Sequence, residues 1–204
     1  MRPRFCATAL VAVLLVGGGV VPGHSTELRP GMSAVPSAAT QTFTSTKYRF
    51  SFDYRSPFQL RRGTSFAGEG GSGAESTTGV FDVTGNRIAG QYRDAFVVNV
   101  YELSQAITPE LLPAVRRELR VVIRQLKEST PSLTTTRLKR TAVNGIPGVR
   151  LLARFRVKKV PMRTRITFLF KADTEYQLLE QTTNQEWSAL QGRLTAMRNS
   201  FTAY

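Results

Sequence analysis

Arg150-Leu151-Leu152-Ala153-Arg154-Phe155-Arg156-Val157-Lys158-Lys159-Val160-Pro161-Met162-Arg163-Thr164-Arg165-Ile166-Thr167-Phe168-Leu169-Phe170-Lys171 is the run on which the fold turns. Leu151, Ala153, Phe155 and Val157 alternate with Arg150, Arg154, Arg156 and Lys158. Met162, Thr164, Ile166, Phe168 and Phe170 alternate with Arg163, Arg165 and Lys171. Period two over this length marks two half-buried strands. A third strand, Glu175 to Thr182, follows the polar turn Lys171-Ala172-Asp173-Thr174. Trp187, Leu190, Leu194, Met197 and Phe201 then recur at spacings of three and four, which puts them on one face of a helix. Asn184 is its expected cap, with Glu186 in the first turn. Three consecutive antiparallel strands closed by an amphipathic helix define an α+β class.

Upstream, Thr134 to Val143 reads as another strand, and Asn144-Gly145 is the strongest hairpin signal in the chain. Pro147-Gly148 behind it predicts a loop longer than two residues. Thr108 with Pro109 and Glu110 opens a helix. Its buried stripe is Leu112, Val115, Leu119, Val122 and Leu126, and it ends near Ser129, before Pro131. Ala95 to Leu103 carries apolar groups on both faces, so it reads as an interior strand. Arg87 to Arg93 is further strand material. Tyr48, Phe50, Phe52 and Tyr54 alternate with Arg49, Ser51 and Asp53 in an opening strand, which Ser56-Pro57 turns into Phe58 to Leu60. Arg61 to Gly79 reads as a Gly-rich loop. Gly68, Gly70 and Gly73 fit the dinucleotide spacing G-x-G-x-x-G, yet Val80-Phe81-Asp82-Val83 follows instead of the helix that such a cradle needs, so no nucleotide is expected.

The chain has 204 residues, one domain plus a leader. Arg2 and Arg4, the apolar run Phe5 to Val21, and Pro22-Gly23-His24-Ser25 read as an export signal over 1–25, cut near Ser25. Residues 26–42, rich in Pro, Ser, Ala and Thr, read as a disordered linker, and 43–204 as a single domain. An exported or envelope location follows. Cys6 and His24, the only cysteine and histidine, both fall in the leader. The exported chain therefore has no Cys nucleophile, His base, disulfide or imidazole–thiolate metal site. No cofactor and no metal site is expected.

Net charge is +14, and loss of Arg2 and Arg4 leaves most of it. Such an excess suits polyanions: lipid head groups, wall polymers or acidic protein. A basic surface that only keeps the protein soluble is the plain alternative. Most of the basic residues are Arg, the better bidentate partner for phosphate and carboxylate.

The order of elements resembles the PsbP-like fold, nearest to small exported bacterial proteins of the LpqN and LpqT kind. The resemblance rests on Tyr48 to Tyr54, on Val143-Asn144-Gly145 to Arg156, and on Trp187 to Phe201 with its ending Met197-Arg198-Asn199-Ser200-Phe201. It implies an antiparallel sheet flanked by helices on both faces, an α/β/α sandwich, in a non-enzymatic accessory or binding protein. The chain departs from the LpqN and LpqT kind in lacking a cysteine after its apolar run, which argues against a lipid anchor.

The candidate site is the basic face of the long hairpin. If Leu151 pairs with Phe170 and Phe155 with Ile166, Arg156 stands opposite Arg165 and Lys158 opposite Arg163. Like charges across a ladder destabilise it by about 0.2–1 kcal/mol per pair, so such a face either holds its heads in water or meets an anion. Arg154 and Lys159 belong to the patch, and Arg137 and Lys139 join it if strand order brings them alongside. Leu152 and Leu169 share the face, so a helix is expected over its middle, with the end near Val160-Pro161 open. The expected partner is an anionic envelope polymer, lipid head groups or an acidic protein. Nucleic acid is not expected, because the aromatics fall on buried faces instead of forming exposed stacking platforms. Two other classes are weighed. A hydrolase would rest on Glu102, Asp173, Glu175 and Glu180, which share no recognisable spacing; of these Glu180 is predicted to point inward. A carrier of an apolar or lipid-like ligand would use a cavity between sheet and helix.

Overall fold

The computed structural model describes residues 39–62, 74–88 and 91–204. The expected signal, most of the expected linker, and Gly68, Gly70 and Gly73 lie outside these residues. The elements are β1 Gln41–Ser45, β2 Phe50–Tyr54, β3 Phe58–Arg62, β4 Ser76–Asp82, β5 Arg87–Ile88, β6 Gln91–Tyr92, β7 Ala95–Glu102, α1 Leu112–Ser129, β8 Thr134–Thr135, β9 Lys139–Val143, β10 Ile146–Val157, β11 Val160–Lys171, β12 Thr174–Thr183, α2 Trp187–Ser200 and β13 Thr202–Ala203. Eight strands form one antiparallel sheet in the order β3-β4-β7-β12-β11-β10-β8, with β9 sharing the outer edge of β10. β1, β2 and β13 make a second, three-stranded sheet.

Side-chain parity divides the large sheet into two cores. Val149, Leu151, Ala153, Phe155, Met162, Ile166, Phe168 and Phe170 pack with Leu112, Val115, Val122, Ile123 and Leu126 of α1. Val98, Val100, Leu169, Tyr176 and Leu178, which point the other way, pack with Leu190, Leu194 and Met197 of α2 and with Phe50 and Phe52 of β2. Edge-to-face ring pairs tie the small sheet to the large one, with Phe52 5.1 Å from Phe96 and Phe50 5.9 Å from Tyr176. Burial of so many aromatic rings, each worth several kcal/mol with its edge contacts, accounts for a domain that needs no cross-link.

Several expectations change. A strand begins at Gln41, inside the stretch expected to be linker, and β13 closes the chain; each is too short for a periodic signal and exists because it pairs with β2. The opening strand starts at Phe50, since Arg49 takes a positive φ of 52°. The Gly-rich loop is shorter than expected, because Ser76 to Gly79 pair with β7 in β4, and a strand follows the glycines where a nucleotide cradle needs a helix. The expected strand Thr134 to Val143 splits in two, because Leu138 turns into the core beneath α1 and the Thr136 hydroxyl accepts the Leu152 N–H at 2.9 Å. Asn144-Gly145 forms a loop of only two residues, with Val143 paired to Ile146. Pro147 and Gly148 continue the strand; a Cβ at Gly148 would meet the Phe168 carbonyl oxygen at 2.0 Å, so only glycine allows β10 this close to β11. At α2 the cap is Glu186, whose N–H donates to the Thr183 hydroxyl at 3.2 Å, and Asn184 is used elsewhere.

Candidate functional site

The hairpin β10–β11 pairs four residues out of the expected register. Leu151 faces Ile166 and Phe155 faces Met162, so Arg154 stands opposite Arg163, Leu152 opposite Arg165 and Arg156 opposite Pro161. Arg156 opposite Arg165 and Lys158 opposite Arg163 are therefore corrected. The turn is the cause: Lys158 and Lys159 close it in two residues, with Val157 paired to Val160. Both lysines take positive φ, 46° and 72°, as a type I′ turn requires. In a two-residue hairpin the pair next to the turn is hydrogen-bonded and the following one is not. Pro161 thus sits where no N–H is owed to β10, and the Arg156 N–H turns outward to the Ser132 hydroxyl at 3.2 Å. Arg154 and Arg163 also occupy a non-hydrogen-bonded pair, in which side chains lie closest, Cα atoms about 4.5 Å apart.

The inner half of this face is closed by the protein's own groups. Glu180 is fully buried, as its parity predicts, and it meets arginines. Its carboxylate accepts from Arg165 Nη1 at 2.7 Å and from Arg198 Nη1 at 3.0 Å, and the Thr195 hydroxyl donates to it at 3.2 Å. Burial pushes the Glu180 carboxyl up, while Arg165 and Arg198 pull against that shift. Burial likewise lowers Arg198, with Glu180 opposing. The triad locks β11, β12 and α2 together. Arg163 and Arg165 both lie over the Trp187 ring, at 5.3 and 5.2 Å from its centroid. Arg163 Nη2 also donates to Asn184 Oδ1 at 2.5 Å.

The outer half has no such closure. Arg150, Arg154, Arg156, Lys158 and Lys159 are exposed, and Lys139 faces Arg150 across the ladder from β9. Partial burial and then the charge of Arg154 lower the Arg163 guanidinium, the electrostatic mark of like charges set together. Arg156 Nη1 donates to the Lys159 carbonyl at 3.1 Å, which braces the turn. Among the described residues both ion pairs are those of Glu180. Of the six residues singled out in the sequence, Arg154, Arg156, Lys158 and Lys159 thus gather at the open end, whereas Arg163 and Arg165 are already engaged. Arg137 lies between β8 and β9. Arg198 and Thr195 were missed; the one available signal was an arginine four residues after Leu194, on the apolar side of α2.

The four carboxylates weighed for hydrolysis do not converge. Glu102 and Asp173 are exposed at the strand ends. Glu175 and Glu180 leave β12 on opposite faces, beside Tyr101 and Phe96 respectively. Glu175 is buried and accepts from the Gln177 amide at 2.8 Å, and burial raises its carboxyl to about 7. Glu180 has arginines where a catalytic acid would need a substrate.

The architecture is that of a mostly antiparallel α+β protein with two helices, and its fold is PsbP-like. The solution structure of cyanobacterial PsbP (CyanoP) from Synechocystis sp. PCC 6803 matches with a TM-score of 0.59 at 13% identity, over 86% of this chain and 98% of that one. The crystal structure of LpqN, described as involved in cell envelope biogenesis of Mycobacterium tuberculosis, matches with a TM-score of 0.56 at 11% identity, over 82% of this chain and 91% of that one. No family model and no curated protein matches the sequence.

Proposed function

We propose that the chain is an exported, non-enzymatic binding or accessory module of the cell envelope, which docks an anionic component or an acidic partner through the open end of its basic sheet face. One observation carries this reading: Arg154 is set against Arg163 in the closest kind of cross-strand pair, while the only ion pairs among the described residues are consumed in the Glu180 triad. A ladder holds such a repulsion of about 0.2–1 kcal/mol more readily where an anion relieves it. The leader-like composition of residues 1–25, ahead of a domain whose first strand begins at Gln41, supports export, and the likeness to LpqN supports an envelope setting. Helix-specific cores of opposite parity support an α/β/α sandwich with one helix on each face. No helix of the described residues is long and apolar enough to cross a membrane.

The test is co-sedimentation with anionic vesicles and with isolated wall polymer across a salt series. Binding is expected to weaken steeply with salt and to be abolished by reversing Arg154, Arg156 and Lys159 to Glu, three exposed residues that lie outside the triad. Affinity unchanged by that triple reversal would refute the reading.

A further inference from the structure

Resting on that reading, we propose that the Lys158-Lys159 turn is the contact tip, and that its partner is an anionic phospholipid surface approached end-on by the β10–β11 hairpin. The backbone supplies the first reason. Type I′ turns favour Asn-Gly because both central residues need positive φ, and this chain uses Asn144-Gly145 at φ 47° and 79° to begin β10. At the other end it places two lysines in nearly the same conformation, 46° and 72°, which is strained for residues bearing a Cβ. Asn144 also serves the fold: its Nδ2 donates to the Asn199 and Phe201 carbonyls at 3.0 and 2.8 Å, fastening the end of α2. Lys158 and Lys159 are exposed, and among the described residues neither ammonium is paired with an acid. Strain tolerated without an internal return marks a position selected for what lies outside.

The second reason fixes the partner. Protein interfaces are anchored by buried aromatic or aliphatic side chains. The hairpin tip offers none, because Val157 and Val160 turn back against the α1 core. Among the described residues, the exposed large hydrophobic ones, Val121 on α1 and Tyr204 after β13, lie off this hairpin. A soluble polymer is followed by a groove with cations along its length, whereas here Arg154, Arg156, Lys158 and Lys159 gather at one end of the sheet, around a turn. Exposed charges gathered at a sheet end, with no apolar wedge, fit a plane of lipid phosphates, where attraction accumulates charge by charge and no shape complementarity is needed. Contact is peripheral, without insertion.

The test compares the full chain on phosphatidylglycerol-containing and pure phosphatidylcholine vesicles, so that partitioning through the apolar leader cancels. Replacing the tip by the other turn's residues, K158N with K159G, relieves strain and is expected to raise Tm by about 2–4 °C. It should also reduce phosphatidylglycerol-dependent binding about 25-fold, roughly five-fold per charge. The control R117Q with R120Q removes two charges from the exposed side of α1 and should change binding less than about two-fold. Equal losses in both double variants, or wild-type binding by K158N with K159G, would overturn the tip and leave the broader anionic reading standing. Wild-type binding to soluble polyphosphate with no preference for phosphatidylglycerol would overturn the lipid assignment alone. Binding to neither would defeat the broader reading as well.

Discussion

Strand β10 begins and ends in turns of the same backbone shape, and the chain uses their side chains in opposite ways. At Asn144-Gly145 the side chain is folded inward onto the end of α2. At Lys158-Lys159 the side chains leave the molecule. The same division runs across the basic face between them. Arg165 and Arg198 are spent on one buried carboxylate, whereas Arg154, Arg156 and the turn lysines meet no acid among the described residues. At the centre of this face, where burial makes an unpaired charge expensive, the fold supplies a counter-charge; at its end, where water screens the charge, none is supplied among the described residues. Positive charge is thus structural at the sheet centre and available at its end.

The largest effect expected from breaking this division is at Glu180. Glu180→Gln leaves two largely buried guanidiniums without their counter-ion and should cost about 3–5 kcal/mol in urea denaturation. A cost below about 1 kcal/mol would mean that the inner arginines are as free as the tip. Glu175 sharpens the contrast, being a buried carboxyl on the same strand with no arginine partner among the described residues. Its folded value of about 7 lies above the ordinary 4.5, so the folded chain binds this proton more tightly than the unfolded one. That stabilisation is complete below about 4.5 and fades as pH rises through about 7, amounting to about 3 kcal/mol. Thermal melts of Glu175→Gln should lack that share of the pH dependence; melts that track wild type from pH 4.5 to 8 would contradict it. The smallest effect, and of opposite sign, belongs to the open end. Arg154→Thr removes one member of the like-charge pair and should stabilise by about 0.5 kcal/mol, a rise of about 1–2 °C in Tm. A clear loss of stability would show that Arg154 is needed by the fold.

Much of the architecture was legible because its signals are local. Alternation marked β2, β10 and β11, apolar groups on both faces marked β7, a polar turn announced β12, spacing of three and four marked the faces of α1 and α2, and Asn144-Gly145 marked its hairpin. The hairpin register was not legible, since Lys158-Lys159 lacks the Gly or Asn that announces a tight turn. Pairing Leu151 with Phe170 and Phe155 with Ile166 then shifted the register by four residues. That shift kept every side chain on its proper face, because four is even, so the basic surface was found while its opposed pairs were wrong. The triad was hidden for another reason: Arg165, Glu180 and Arg198 are far apart in sequence, and only the pairing of β11 with β12 and the seating of α2 bring them together.

Composition and periodicity by themselves determined an antiparallel α+β domain, a strong positive excess and the strands that carry it, because each depends on residue type and near neighbours. Which of those charges the protein neutralises and which it leaves open was decided only by tertiary structure. Charge pairing depends on distance and burial, and both are set by how strands separated by many residues align beneath a helix.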